Sequence, residues 1–295
     1  MQHSSNTAFH VLWTKPSTDK GEHFSMNDAE ILTMVLSALM WQKHNGSISL
    51  YTDKTGYEFL RDRELLGLWD GGIDTDVLEM TDYPIDAEVF WAAGKLIALE
   101  KQATPCVMLD TDLIITRPLQ KLLKNQKITA LHPEELNGEA YLSPDVLKCP
   151  RDFSFPPFYN WEVLPSNTAF LYIADDPFKD FYLGEAKRFM FHNTDKPMEM
   201  VSQMVFAEQR LLSICADYKK MPVQYLLPAP FSGTNETVVH LWGFKGLLRR
   251  NENLQAVYCR QLIKTLGKEL ETNRFFQRYV QAYFSEELKI AVQCL

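Results

Sequence analysis

Two carboxylates with one residue between them follow an apolar segment in the middle of the chain. Asp110 and Asp112 come directly after residues 106–109, a short run of the kind that forms buried strands. Where the backbone stays extended, residues two apart project to the same side, so the two carboxylates can converge on one ligand. Carboxylate oxygens are suitable ligands for Mg²⁺ or Mn²⁺, and phosphate oxygens of a substrate often complete the coordination shell of such an ion. The pattern therefore predicts a divalent-metal site that binds a phosphorylated ligand.

The spacing alone is not specific, because a second pair, Asp74 and Asp76, has it too. That pair precedes the apolar run 77–80, which we expect to be a strand. It would then lie at the start of a strand and serve turn geometry, whereas Asp110 follows its strand. In parallel sheets ligands bind beyond the carboxyl ends of the strands. Position therefore favours Asp110 and Asp112 as the functional pair.

A second group of chemically capable residues lies near the end of the chain. His240, Gly243 and Lys245 combine an imidazole, a residue that permits close backbone approach, and a cation. A neutral imidazole can complete a carboxylate metal site, and an ammonium group can bind a diphosphate. We therefore expect His240 to be a third metal ligand and Lys245 to contact phosphates.

Charge and cysteine content exclude several other classes of protein. The chain has 295 residues and a net charge of −8, so nothing in the global charge favours nucleic acid or an anionic membrane. Its cysteines lie far apart without a Cys-x-x-Cys pair, against a zinc ribbon or a disulfide framework. We find neither an apolar run of membrane-spanning length nor a secretory signal. We expect a cytoplasmic protein, for which peripheral contact with a membrane stays open.

Alternating strand-like and helix-like patterns must position these residues. Short apolar runs predict strands, and amphipathic periodicity predicts helices between them. The order is typical of an α/β fold with a mostly parallel sheet and right-handed crossovers. We predict strands at residues 9–13, 48–52, 77–80, 106–109, 169–174 and 238–242. We predict helices from a capping box at Ser25 and Asp28 to Asn45, and at about residues 57–66, 87–101 and 198–218.

The rest of the chain divides into a loop region and a helical tail. Prolines and aromatic residues between Pro133 and Pro165 predict an ordered loop, and long helical patterns run through residues 251–293. We therefore expect one domain over residues 1–250. Residues 251–295 would form a C-terminal helical extension packed on it.

The order of the motifs resembles that of retaining GT-A glycosyltransferases, the group containing glycogenin and the bacterial lipopolysaccharide galactosyltransferases. The motifs concerned are Asp110-Thr-Asp112 after a strand, Asn167-Thr-Ala, Glu208-Gln209 in a helix, and His240-x-x-Gly-x-Lys245. Residues 9–13 also resemble the opening strand of the related mannosyltransferase and capsular-sugar transferase group. The resemblance spans residues 9–245. It implies a GT-A, Rossmann-like fold, with a mostly parallel central sheet flanked by helices.

The resemblance also implies a function and roles for individual residues. The protein would be a metal-dependent glycosyltransferase that moves a sugar, with retention, from a nucleotide-sugar donor, a UDP-sugar, to a glycan or other hydroxyl acceptor. The ligands of Mn²⁺ or Mg²⁺ would be Asp110, Asp112 and His240. Catalytic roles would fall to Gln209, Glu208, Lys245 and Asn167. The donor would be bound by Thr14, Asp53, Lys95, Asp110, Gly243 and Lys245.

Two other interpretations stay open. Thr14-Lys15-Pro16 replaces the Asp-x-Asn-Tyr nucleotide loop that usually follows the first strand in such transferases. This difference favours a GT-A-like protein that binds a nucleotide or a glycan without catalysis. A strand followed by Asp-x-Asp is also typical of haloacid-dehalogenase-like phosphohydrolases. Their later acidic pair could be Asp175-Asp176.

Overall fold

The strands carry the candidate residues at their ends. The computed structural model describes residues 7–80, 83–151, 153–196, 201–230 and 237–284. The strands in this part of the chain are β1 (Ala8–Leu12), β2 (Ile48–Thr52), β3 (Ile73–Asp74), β4 (Cys106–Leu109), β5 (Leu113–Ile115), β6 (Ile128–Ala130), β7 (Phe170–Ile173), β8 (Gln224–Tyr225) and β9 (Val238–His240).

Seven of these strands form the central sheet, in the order β3-β2-β1-β4-β7-β6-β8. The first four are parallel neighbours. Strand β7 runs antiparallel to both β4 and β6, and β6 pairs with β8 in parallel. Strands β4 and β6 therefore run in the same direction and end at the same edge of the sheet. Strands β5 and β9 form a separate antiparallel pair.

Helices cover the sheet between the strands. They are α1 (Lys15–Thr18), α2 (Asp28–His44), α3 (Lys54–Arg61), α4 (Asp76–Glu79), α5 (Ala93–Glu100), α6 (Gln120–Leu123), α7 (Asp176–Met190), α8 (Ser202–Val205), α9 (Leu211–Tyr218), α10 (Lys245–Arg250), α11 (Glu252–Leu266) and α12 (Arg274–Tyr283). A π-helical turn, Phe206–Arg210, joins α8 to α9. Among the described helices, none combines the length and the apolar character needed to cross a membrane.

The central sheet separates two apolar cores. Along β4, Val107 and Leu109 pack into the core that contains α2 and α11. Cys106 and Met108 pack into the core of α5, α7 and α9 on the other face. A strand buried on both faces is expected in a parallel sheet covered by helices. The architecture confirms the predicted α/β class, with a mostly parallel central sheet flanked by helices.

The C-terminal helices pack against the N-terminal half of the chain. Leu262 and Ile263 of α11, and Phe276 and Val280 of α12, are buried in the same core as α2. The division of the chain at residue 250 stays a prediction. The part of the predicted tail beyond residue 284 lies outside the described residues, as do residues 198–200 of the helix predicted to end at 218.

Residues 77–80 are not the strand that the sequence predicted. Strand β3 ends at Asp74, whose Oδ1 accepts hydrogen bonds at 2.9 Å from the N–H groups of Asp76 and Val77. Helix α4 starts there, so Asp74 lies at the carboxyl end of a strand, not before one. A four-residue apolar run does not distinguish strand from helix. The hydrogen bonds of Asp74 do serve the predicted turn.

Several helices begin at residues other than those predicted, because capping side chains set their first turns. Helix α2 begins later than expected because Asn27 and Glu30 form its capping box. Helix α3 begins earlier than expected because Asp53 accepts a hydrogen bond from the Gly56 N–H at its first turn. The helix expected from residue 87 is broken into turns followed by α5. Caps of this kind are short-range features that periodicity does not locate.

A buried chain of hydrogen bonds ties the sheet to the segment after β4. Trp69 Nε1 donates to His10 Nδ1 at 3.2 Å, so the ring proton of His10 sits on Nε2, which donates to Ser37 Oγ at 3.0 Å. Ser37 Oγ donates to the Leu113 carbonyl at 2.5 Å. Burial lowers the pKa of His10 to about 3, against the charge of Asp110, which acts to raise it.

We expect acidification to destabilise the protein through His10. The unfolded chain protonates this side chain near pH 6.5, whereas the folded chain resists protonation down to about pH 3. Between these values the group raises the unfolding equilibrium constant by up to about tenfold per pH unit of acidification. In urea unfolding at pH 7 and pH 5, His10→Asn should show a smaller loss of stability on acidification than the wild type. His23→Asn, at an exposed position, should keep the wild-type loss. Equal losses in His10→Asn and the wild type would contradict the neutral, buried state of His10.

Candidate functional site

Asp110 and Asp112 stand where the chain turns from β4 into β5. The Asp110 N–H donates to the Ala169 carbonyl at 2.8 Å, and the Leu113 N–H donates to the Asp110 carbonyl at 3.1 Å. The backbone between the aspartates is thus a turn, not the extended segment on which the spacing argument relied. The two carboxylates nevertheless converge. The side chain of Asp112 is buried, and that of Asp110 is partly exposed.

Strand β9 brings His240 to the same place. Leu113 pairs with His240 in the β5–β9 ladder, and the Leu241 N–H donates to the Asp112 carbonyl at 3.0 Å. His240 Nε2 lies 3.7 Å from Asp112 Oδ2. One ligand atom each from Asp110, Asp112 and His240 lie within 4.8 Å of one another. The structure therefore brings together the three residues predicted as metal ligands.

This set of donors fits a divalent cation that takes oxygen ligands and tolerates an imidazole. Mn²⁺ and Mg²⁺ both bind carboxylates and keep positions for phosphate oxygens. Burial lowers the pKa of His240 below its ordinary value, although Asp112 and Asp110 act to raise it. The imidazole is therefore neutral at pH 7, the form in which a ring nitrogen can bind a metal.

Two lysines neutralise the aspartates. Lys245 Nζ lies 2.9 Å from Asp112 Oδ2. Lys95 Nζ lies 2.6 Å from Asp110 Oδ1 and 2.5 Å from Glu208 Oε1. Burial disfavours the charged form of Lys95, but the charges of Asp110 and Glu208 outweigh it and raise the pKa of this lysine. Burial likewise acts to raise the pKa of Asp110, but Lys95 lowers it overall. The Lys95–Asp110 pair is therefore charged at neutral pH.

The π-helical turn Phe206–Arg210 carries Glu208 and Gln209. Such turns change the direction of successive side chains and occur often at functional sites. Thr168 Oγ1 donates to Glu208 Oε1 at 2.7 Å, and the hydroxyl of Tyr141 donates to Gln209 Oε1. Glu208 is buried, whereas Gln209 is partly exposed. The sequence predicted a helix here but not its π-helical turn.

Asn167 belongs to a further polar group at the same edge of the sheet. Its Nδ2 donates to Glu134 Oε1 at 2.8 Å, and His132 Nδ1 lies 3.7 Å from the same oxygen. The rings of His132 and Trp242 meet edge to face, with centroids 6.3 Å apart. Sequence analysis missed His132 and Glu134 because it did not predict β6. Recognising residues 128–130 as a strand would have pointed to the polar side chains that follow.

Thr14 and Asp53 meet at the carboxyl ends of β1 and β2. Asp53 Oδ2 accepts from the N–H groups of Thr14 and Lys15, at 2.6 and 3.1 Å. Its Oδ1 accepts from Thr14 Oγ1 at 2.8 Å and from the Gly56 N–H at 2.9 Å. Asp53 thus fixes the backbone after β1, a role that sequence analysis did not assign to it. The cavity beside these residues has a volume of about 240 Å³, and its other walls include Trp13, Thr55, Glu79, Tyr83, Ile85 and Ile97.

Gly243 and Lys245 follow β9 at the mouth of the site. A Cβ atom on Gly243 would meet no atom within 4 Å, so the space beside it is open. Lys245 begins α10. Arg249 of the same helix binds the buried carboxylate of Glu30 in α2 through two guanidinium nitrogens, the shorter contact being 2.8 Å. The helix that carries Lys245 is therefore fastened to the core.

The chain belongs to a protein family of unknown function, DUF6734, whose sequence profile matches residues 8–288. No curated protein is similar to it in sequence. The 4-diphosphocytidyl-2C-methyl-D-erythritol synthase from Anaerococcus prevotii overlaps 85% of this chain and 98% of its own, with 13% identity and a TM-score of 0.41. The PaToxG glycosyltransferase overlaps 98% and 84%, with 11% identity and a TM-score of 0.42. Mouse xyloside xylosyltransferase 1 overlaps 75% and 84%, with 9% identity and a TM-score of 0.37.

Removing the Lys95 ammonium should destabilise the fold strongly. In Lys95→Met, Asp110 and Glu208 would face each other without a cation, and breaking a buried ion pair from one side costs about 3–5 kcal/mol. Urea unfolding should show a loss of this size, and adding Glu208→Gln should recover part of it. The matched control is Lys127→Met, because Lys127 forms a solvent-exposed pair with Asp175. This substitution should lower the free energy of unfolding by only about 0–1 kcal/mol. Equal losses in the two lysine variants would contradict the role given to Lys95.

Proposed function

We propose that the protein is a metal-dependent glycosyltransferase that takes a UDP-sugar as donor and a hydroxyl group as acceptor. One observation carries the proposal: Asp110 and Asp112, from the turn after β4, converge with His240 of β9 at the carboxyl end of β4, beside the ammonium of Lys245. Acidic side chains alone would repel a diphosphate. Together with a divalent cation and a lysine, they form a site that attracts one.

The cavity at the carboxyl ends of β1 and β2 is where the nucleoside of the donor would bind. Strand β1 lies between β2 and β4 in the sheet, so this cavity and the aspartates share one edge, a strand or two apart. A nucleoside diphosphate can therefore extend from the cavity to the metal site. Asp53 would act through the Thr14–Lys15 backbone that it holds.

The residues around the metal site divide the chemistry between them. Asp110, Asp112 and His240 would hold Mn²⁺ or Mg²⁺, which as a Lewis acid stabilises negative charge on the leaving diphosphate. Lys245 would neutralise the same charge by contacting the phosphates. Lys95 would keep Asp110 and Glu208 in place, and Gln209 and Asn167 would face the sugar. Gly243 leaves room for the donor.

Retention follows from attack on the face from which the diphosphate leaves. The acceptor oxygen forms a bond to the anomeric carbon as the bond from that carbon to the phosphate oxygen breaks. The proton of the acceptor hydroxyl passes to a phosphate oxygen of the departing nucleoside diphosphate. This route needs no carboxylate nucleophile, and Glu208 is engaged by Lys95 and Thr168.

The geometry disfavours the haloacid-dehalogenase-like alternative. Strand β7 pairs antiparallel with β4, so that Ile173 lies opposite Cys106 at the start of β4. Asp175 and Asp176 follow Ile173 and therefore lie at the opposite end of β4 from Asp110. Asp175 also caps α7 by accepting from the Phe178 N–H at 3.0 Å. The second acidic pair of such a phosphohydrolase would be on the wrong edge of the sheet.

Asp112→Asn should abolish metal-dependent nucleotide binding. Isothermal titration of UDP in the presence of Mn²⁺ should show binding to the wild type and at least about 100-fold weaker binding to the variant, since even an outer-shell change typically costs 10–100-fold. The matched control is Asp76→Asn, in the other Asp-x-Asp pair, which should bind as the wild type does. Unchanged affinity in Asp112→Asn would refute the metal-site assignment.

Hydrolysis of a panel of UDP-sugars with Mn²⁺ separates the transferase from a binding protein. The transferase should release UDP from at least one donor, and Asp112→Asn should not. Mn²⁺-dependent binding of UDP without turnover of any donor or acceptor pair would instead favour the GT-A-like binding protein.

A further inference from the structure

Tyr141 contacts Gln209 from the loop between β6 and β7. Its hydroxyl donates to Gln209 Oε1, and the residue is 9% exposed. Among the described residues, this oxygen is the only hydrogen-bond partner of the hydroxyl. Burial raises the pKa of Tyr141, and the charges of Glu134 and Glu208 act in the same direction. The phenol is therefore protonated at neutral pH and serves as a donor.

The loop that carries Tyr141 is fastened to the π-helical turn at two further points. The Ser166 N–H donates to the backbone carbonyl of Gln209 at 3.4 Å, and Arg210 Nη2 donates to the carbonyl of Trp161. These bonds hold the backbone of the turn against the loop. The rotation of the terminal amide of Gln209 then remains to be set, and the hydroxyl of Tyr141 sets it.

The orientation of this amide follows from the needs of the buried phenol. An amide oxygen accepts hydrogen bonds, and the amide nitrogen on the other side of the same carbon carries two donors. The reverse orientation would leave the proton of Tyr141 without an acceptor, which is unfavourable for a buried group. Oε1 of Gln209 therefore faces Tyr141, and the two N–H groups point away from it. Gln209 is partly exposed, and within the described part of the chain its Nε2 makes no hydrogen bond.

We infer that Tyr141 is a positioning residue, which turns the amide of Gln209 so that its N–H groups bind hydroxyl oxygens of the donor sugar. The inference rests on the proposed function, which places the sugar beside Gln209. An N–H group can donate to a hydroxyl oxygen, but it does not stabilise the anomeric carbon, which gains positive charge as the diphosphate leaves. Gln209 thus binds the sugar, and its oxygen, held by Tyr141, faces away from it.

Nuclear magnetic resonance tests the orientation without any nucleotide. The full-length protein is isotope-labelled at glutamine, and the side-chain signals of Gln209 are those that Gln209→Met lacks. Loss of the hydrogen bond in Tyr141→Phe should move the signal of the Gln209 side-chain carbonyl carbon upfield. A carbonyl signal that stays in place in Tyr141→Phe overturns the inference.

Titrations of UDP and of a panel of UDP-sugars, each with Mn²⁺, test what the amide binds. Tyr141→Phe should bind UDP as the wild type does. It should bind the UDP-sugar that the wild type prefers about three- to tenfold more weakly, the range expected for one hydrogen bond. A merely structural role would weaken both ligands equally. Gln209→Met, which lacks the N–H donors, should show the same difference, and it decides the matter if circular dichroism shows that Tyr141→Phe does not fold.

Tyr159→Phe is the matched control, from the same loop. The hydroxyl of Tyr159 donates to Glu185 Oε2 at 2.7 Å, and the residue is 6% exposed. The substitution therefore removes a comparable buried hydrogen bond that does not involve Gln209. It should change neither the carbonyl signal of Gln209 nor the affinity for UDP-sugars.

The two measurements separate the inference from the proposed function. A wild type that binds UDP, together with unchanged UDP-sugar affinity in Tyr141→Phe and Gln209→Met, rejects the inference and leaves the transferase standing. A wild type that binds neither UDP nor any UDP-sugar rejects the transferase and, with it, the contact of Gln209 with a sugar. The carbonyl signal then still decides whether Tyr141 sets the amide.

Discussion

The site depends on the two ion pairs that the ammonium of Lys95 forms with Asp110 and Glu208. These pairs join α5, the end of β4 and the π-helical turn, three elements that come from different parts of the chain. Two like charges about 4 Å apart repel by about 4 kcal/mol at an effective dielectric of about 20. Without the lysine, the carboxylate of Asp110 would move away from Glu208 and from the position in which Asp112 and His240 complete the cluster.

The direction of β7 decides what else reaches that edge of the sheet. Because β7 is antiparallel to both of its neighbours, β4 and β6 end together. The segment after β6 then supplies His132 and Glu134, and the start of β7 is preceded by Asn167 and Thr168. A chain with parallel strands alone would place only strand ends on this edge. Here β7 runs in the opposite direction, so its start also lies on this edge. Asn167 and Thr168, the residues just before β7, therefore contact Glu134 and Glu208.

The sequence predicts the α/β architecture and the three candidate metal ligands that the structure brings together, because both depend on local patterns. Apolar runs identify β1, β2, β4 and β7, and residue type and position identify Asp110, Asp112 and His240. The features that the sequence does not predict depend on very short elements or on tertiary contacts. Strands as short as β3 and β6 have too few residues to show a period, so Asp74 was placed at the wrong end of a strand and Glu134 was not found. Asp53 accepts hydrogen bonds from Thr14, Lys15 and Gly56, and a π-helical turn carries Gln209. Both features follow from tertiary contacts that residue spacing does not encode.

The pairing of β5 with β9 has a consequence for the newly made chain. Leu113 and His240 are far apart in sequence, and contacts of this kind form slowly because a long loop must close first. A chain emerging from the ribosome can build the parallel strands around β4 while β9 is still unsynthesised. Such an intermediate has its paired acids but neither the imidazole nor Lys245. Asp110 and Asp112 can therefore meet His240 and Lys245 only after β9, the last strand among the described residues, has been translated.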